Sequence, residues 1–126
     1  MIRLIKNIKR LIYTNRVKLM SKSIGEDLKV NRNSKITKNT ILGDNVNFNG
    51  ISIKGNGKVT IGNNFHSGEE CLIITDIHNY DHGNAIPYDS TYISKDIYIE
   101  DNVWVGSRVL ILGGVNIGEG DRKSVV

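Results

Sequence analysis

Two hydrophobic rhythms divide the chain. Leu4, Ile5, Ile8, Leu11 and Ile12 recur at helical spacing with Arg3, Lys6, Lys9 and Arg10 between them. That pattern predicts a short amphipathic, basic helix in an N-terminal unit of residues 1–22. From about Ile36 a period of six takes over. Ile99, Val105, Ile111 and Ile117 are six apart, and Val103, Val109 and Val115 each follow one of the first three by four. The same frame occurs earlier as Leu42-Gly43-Asp44-Asn45-Val46 and as Ile61-Gly62-Asn63-Asn64-Phe65.

A short fixed period means a solenoid, in which each unit buries its apolar residues by stacking on its neighbours. Six residues suit one short strand and one sharp turn, with Gly or Asn at the positive-φ position that β-branched residues refuse. The expected fold is therefore an all-β solenoid of parallel strands over residues 23–126. Two interruptions break the period. Leu42 to Ile61 is one residue longer than three repeats, which predicts a bulge near Gly55-Asn56-Gly57. Ile73 to Ile99 leaves room for a loop, residues 75–94, thrown out of the solenoid. That loop holds the only Pro and two of the three His. In a repetitive scaffold the irregular polar insertion is where function usually sits.

Composition agrees with short strands rather than a helical bundle, since the 126 residues include 13 Gly but only two Phe and one Trp. One cysteine, Cys71, excludes an internal disulfide framework and fits a reducing, cytoplasmic setting. The formal charge of +4 is concentrated at one end, because residues 1–20 hold six basic residues and no acid. Two readings of that helix compete. Either it packs on the end of the following domain, or it lies on the anionic inner surface of a membrane. Nucleic acid is not the expected partner, because no aromatic platform accompanies the charges.

The residues Thr75-Asp76-Ile77-His78-Asn79-Tyr80-Asp81, Ile86-Pro87-Tyr88-Asp89-Ser90-Thr91-Tyr92, Asn102-Val103-Trp104-Val105-Gly106-Ser107 and Gly114-Val115-Asn116-Ile117-Gly118 carry a resemblance. The chain resembles the hexapeptide-repeat acyltransferases, the left-handed parallel β-helix family. Within it the chain is most similar to the polysaccharide O-acetyltransferase branch related to maltose and galactoside acetyltransferases. The resemblance implies acetyl transfer from acetyl-CoA to a saccharide hydroxyl in a homotrimer with active sites between subunits, and no metal. It implies His78 as the catalytic base. A sugar hydroxyl is a poor nucleophile, and an imidazole in hydrogen-bond reach can take its proton as it attacks the thioester. Trp104, Asn79, Asp81 and Tyr88 are the implied acceptor-side residues, and Gly106 and Ser107 the implied coenzyme contacts. Asp76, Asn79 and Asp81 are open to two readings, orienting His78 or forming loop turns. Cys71 falls in a small inward slot and reads as core, and His66, beside inward Phe65, as outward surface.

The C-terminus departs from the family pattern. Asp121-Arg122-Lys123 stands where an apolar pair is usual, and Asp121 falls in the inward slot of Val103 and Val109. The last coil is therefore expected to be incomplete from residue 121, which suggests a truncated member. An alternative function follows, a non-catalytic β-solenoid scaffold lacking a complete CoA site.

Overall fold

The computed structural model describes residues 1–79, 83–87 and 90–123, with the side chain of Lys123 outside the description. Helix α1 (Ile2–Met20) is followed by strands β1 (Lys29–Arg32), β2 (Thr40–Leu42), β3 (Asn47–Asn49), β4 (Ile51–Lys54), β5 (Val59–Ile61), β6 (His66–Ser67) and β7 (Cys71–Ile74). Then come β8 (Asp76–His78), β9 (Tyr92–Ser94), β10 (Ile97–Ile99), β11 (Trp104–Val105), β12 (Leu110–Leu112), β13 (Asn116–Ile117) and β14 (Arg122–Lys123). Three parallel sheets take them up in rotation: β2-β5-β10-β13, then β1-β3-β6-β11-β14, then β4-β7-β12. The chain thus visits the three sheets in a fixed cycle, one hexapeptide to a face. Ile99 and Ile117, eighteen residues apart, sit in register on successive coils.

The six-residue period becomes columns of buried side chains. Leu42, Ile61, Ile99 and Ile117 stack down the first sheet, and Ile53, Ile73 and Ile111 down the third. All seven are buried. Each buried Ile or Leu contributes about 1.5–3 kcal/mol against leaving it in water. Phe48 and Phe65 meet edge-on in the middle, with ring centroids 6.0 Å apart. Small residues offset their bulk: Ser67 is fully buried in the same layer.

Of the two residue types expected at positive φ, these corners use Asn. The Gly of each Leu-Gly or Ile-Gly pair does not supply the positive φ; Asn45, Asn64 and Asn102 do, at φ 54°, 59° and 62°. Their amides form a ladder, with Asn45 Nδ2 donating to Asn64 Oδ1 (3.0 Å) and Asn64 Nδ2 to Asn102 Oδ1 (2.9 Å). Short polar side chains tolerate this conformation because they hydrogen-bond locally. Gly62 is required for another reason: a Cβ there would lie 2.9 Å from the backbone of Glu100 and Asp101 on the next coil.

Near residue 121 the structure departs from the expected break. The parallel ladder runs on, pairing Trp104 with Arg122 and Val105 with Lys123. Asp121 is only half-buried, its carbonyl accepts the Trp104 N–H (3.0 Å), and its carboxylate accepts the Arg122 N–H (2.8 Å). Val115, expected inward with Val103 and Val109, is 39% exposed whereas those two are at 1%. Both differences share a cause. Among the described residues no coil lies below these positions, so their slots open to water and the charge escapes the cost of full burial.

Helix α1 covers the other end. Thr14 and Val17 are its buried residues, and Thr14 Oγ1 accepts the backbone N–H of Val30 (3.0 Å) on the edge strand β1. An otherwise open strand edge is thereby closed.

Candidate functional site

Ile99 follows its partner Ile61 by thirty-eight positions, twenty more than one coil. The surplus leaves the solenoid between β7 and β10, at the corner joining the third sheet to the first. It leaves as an antiparallel ribbon, with β8 paired to β9 in the register Asp76–Ser94, Ile77–Ile93, His78–Tyr92. The base of the loop is therefore regular structure, which the sequence reading did not foresee. Its signal is a mirrored alternation, Asp-Ile-His against Tyr-Ile-Ser, which puts the two Ile opposite each other.

Asp76 fastens this ribbon to the solenoid. Its Oδ1 accepts from Ser94 Oγ (2.6 Å), Thr75 Oγ1 (3.0 Å) and the Asn56 N–H (2.9 Å), and its Oδ2 from Asn56 Nδ2 (3.1 Å). The Ser94 hydroxyl foremost holds the carboxyl below its usual range against the opposing effect of burial, with the Asn56 N–H and the Thr75 hydroxyl adding to the lowering. Asp76 thus ties down the loop and the turn at residues 55–57, where a bulge was expected. Asn79 continues the ribbon, donating its N–H to Thr91 O (3.1 Å) and Nδ2 to Thr91 Oγ1 (3.1 Å).

His78 ends β8, half-buried, with its ring against Tyr92 at a centroid distance of 4.7 Å and an interplanar angle of 31°. The sequence reading gave Tyr92 no role of its own. Asp81 and Tyr88, named as acceptor-side residues, lie outside the described residues, as does His82.

The remaining candidates sit elsewhere on the coil. Trp104 points outward from β11 on the second sheet, 42% exposed, beside His66 on β6. Gly106 is buried at the following corner, and its carbonyl accepts from Cys71 Sγ at 3.0 Å. Ser107 is exposed, and its Oγ accepts the Glu69 N–H (3.0 Å). Cys71 is core, and burial pushes its thiol pKa up. One chain therefore presents two separate groups: His78 and Asn79 on the ribbon, and Trp104, Gly106 and Ser107 along and just beyond the second sheet. Among the described residues no three of His, Cys, Asp and Glu are grouped to hold a metal ion.

This fold is that of the hexapeptide-repeat acetyltransferases. A galactoside acetyltransferase solved in complex with coenzyme A is similar at a TM-score of 0.74 and 25% identity, over 98% of this chain and 72% of that one. A hexapeptide-repeat acetyltransferase of Vibrio cholerae shares the fold at a TM-score of 0.76 and 24% identity, over 98% of this chain and 76% of its own. In sequence, 65 residues are 38% identical to a protein of Schizosaccharomyces pombe named as a candidate acetyltransferase. That match takes in 49% of this chain and only 29% of the relative. No protein-family profile matches the chain.

Proposed function

We propose that this chain transfers an acetyl group from acetyl-CoA to a hydroxyl of a saccharide, with His78 as general base. The supporting observation is the position of His78 on a ribbon thrown out of a coil that superposes on a coenzyme A-bound galactoside acetyltransferase. In this reading the His78 imidazole takes the proton of the acceptor hydroxyl as its oxygen attacks the thioester carbon. A backbone N–H of the facing coil stabilises the oxyanion, and the coenzyme leaves as its thiol when the tetrahedral intermediate collapses. No acyl-enzyme is needed.

A left-handed winding and a homotrimer belong to the same proposal. His78 and Trp104 rise from different faces of one coil, so a site using both takes His78 from one subunit and the Trp104 face from its neighbour. Ser107 suits a coenzyme contact, because its oxygen accepts the Glu69 N–H while its own hydrogen remains to donate outward. Asn79, fixed by Thr91, would flank the acceptor.

Calorimetric titration with coenzyme A tests the donor half without knowledge of the acceptor. The expected result is saturable binding at about one site per chain. A folded sample that binds no coenzyme A would overturn the reading and favour a scaffold.

A further inference from the structure

Helix α1 sits the wrong way round for a simple cap. Its buried residues are Thr14 and Val17, while Leu4, Ile5, Ile8, Leu11, Ile12 and Leu19 are between 47% and 87% exposed. At about 100° per residue Leu4, Ile5, Ile8, Ile12 and Leu19 fall on the half of the helix opposite Thr14 and Val17, with Leu11 at its edge beside a groove it lines with Leu28. The apolar stripe thus faces directly away from the solenoid. Toward the solenoid, Val17, Tyr13 and Met20 pack on the core, and nearer the N-terminus Arg3, Lys6 and Arg10 overlook a groove of about 810 Å³ shared with Arg32.

The charges say what covers the stripe. Residues 1–20 carry six basic side chains and no acid. Lys9 follows Ile5 by four and Lys18 follows Leu11 by seven, so a cation borders the stripe on each flank, while the Arg16 guanidinium turns back to donate to Asn33 Oδ1 (3.0 Å). Two such helices set face to face would bring like charges together, whereas an anionic bilayer complements them. No helix among the described residues is long and apolar enough to cross a membrane, so the contact is interfacial.

We propose that the outward stripe of α1 seats this protein on an anionic lipid surface, with Leu4, Ile5, Ile8, Leu11 and Ile12 entering the headgroup boundary and Lys9 and Lys18 contacting lipid phosphates. This inference does not rest on acetyl transfer and is read without an enzyme assay.

The test is co-sedimentation of the full chain with vesicles of phosphatidylcholine and phosphatidylglycerol in equal parts, against vesicles of phosphatidylcholine alone. Partitioning at least about tenfold stronger onto the anionic vesicles is expected, weakening as salt rises. The double variant Ile5→Asp/Ile8→Asp changes only exposed positions, so it keeps the circular dichroism melt of the parent and loses anionic binding by more than about tenfold. Equal partitioning onto both vesicle types, or undiminished binding by the folded double variant, overturns the proposal. So does absent vesicle binding combined with a smaller assembly for the double variant in sedimentation velocity, which assigns the stripe to a second copy.

Discussion

His78 and Tyr92 stack across an antiparallel ribbon that stands off the parallel solenoid, with their rings 4.7 Å apart. The pairing fixes the imidazole from one side by contact with a ring that is itself 60% exposed. His78→Ala is expected to lower kcat for acetyl transfer by about 10²–10⁴-fold while coenzyme A affinity stays put. Tyr92→Leu removes the stacking partner, so kcat falls by about tenfold with little change in KM. Steady-state kinetics on the two variants, with a pH–rate profile, separate loss of the proposed base from loss of its proposed positioning partner.

Asp76 links loop base to solenoid, and its stabilising effect has a defined pH range. Its carboxyl pKa is lowered in the fold, so the folded state binds the proton less readily than the unfolded one. The contribution is fully present above the ordinary carboxyl value near about 3.9, and is lost as pH falls through the lower folded value. Asp76→Ala should therefore speed amide exchange in residues 76–78 and 92–94 at neutral pH. The difference from the parent should vanish in strong acid, and hydrogen exchange followed by mass spectrometry reads both.

Cys71 is buried and its thiol pKa raised by that burial, so the thiolate fraction near neutrality is small. Reaction with a disulfide reagent should be slow in the folded protein and complete within minutes in guanidinium. Rapid native labelling would contradict the inward placement.

At the corner ladder, Asn64→Ala removes both amide rungs and leaves a Cβ residue at positive φ, at a cost of about 1–2 kcal/mol. Gly62→Ala has no such φ problem, yet its methyl would press on the coil below, at a cost of about 1–3 kcal/mol. Thermal melts of the two variants test whether conformation and close approach are separate demands at this corner.

Much of the fold was legible because the repeat is local. A period of six places Leu42, Ile61, Ile99 and Ile117 on one line without knowledge of any distant contact, and all are buried. His66 was expected outward and is exposed, and Cys71 inward and buried. Gly or Asn was expected at the positive-φ positions and both occur there, but which of the two serves a given corner was not legible. A Gly in a turn motif looks the same in sequence whether it relieves φ or makes room for a neighbouring backbone. Val115 and Asp121 show another limit, since the period assigns an inward slot but does not say whether a coil lies beyond it.

The sequence by itself determined the solenoid, its six-residue unit and the position of the extruded loop, because each depends on residues a few places apart. Tertiary structure decided the rest. It paired Asp-Ile-His with Tyr-Ile-Ser across the loop, turned Asp76 into a clamp on Asn56 and Ser94, and separated His78 from Trp104 onto different faces. It also turned the apolar side of α1 outward. An amphipathic pattern fixes that a helix has two sides, but which one meets the solenoid is set by contacts such as Thr14 with Val30, which exist only once the coil has formed.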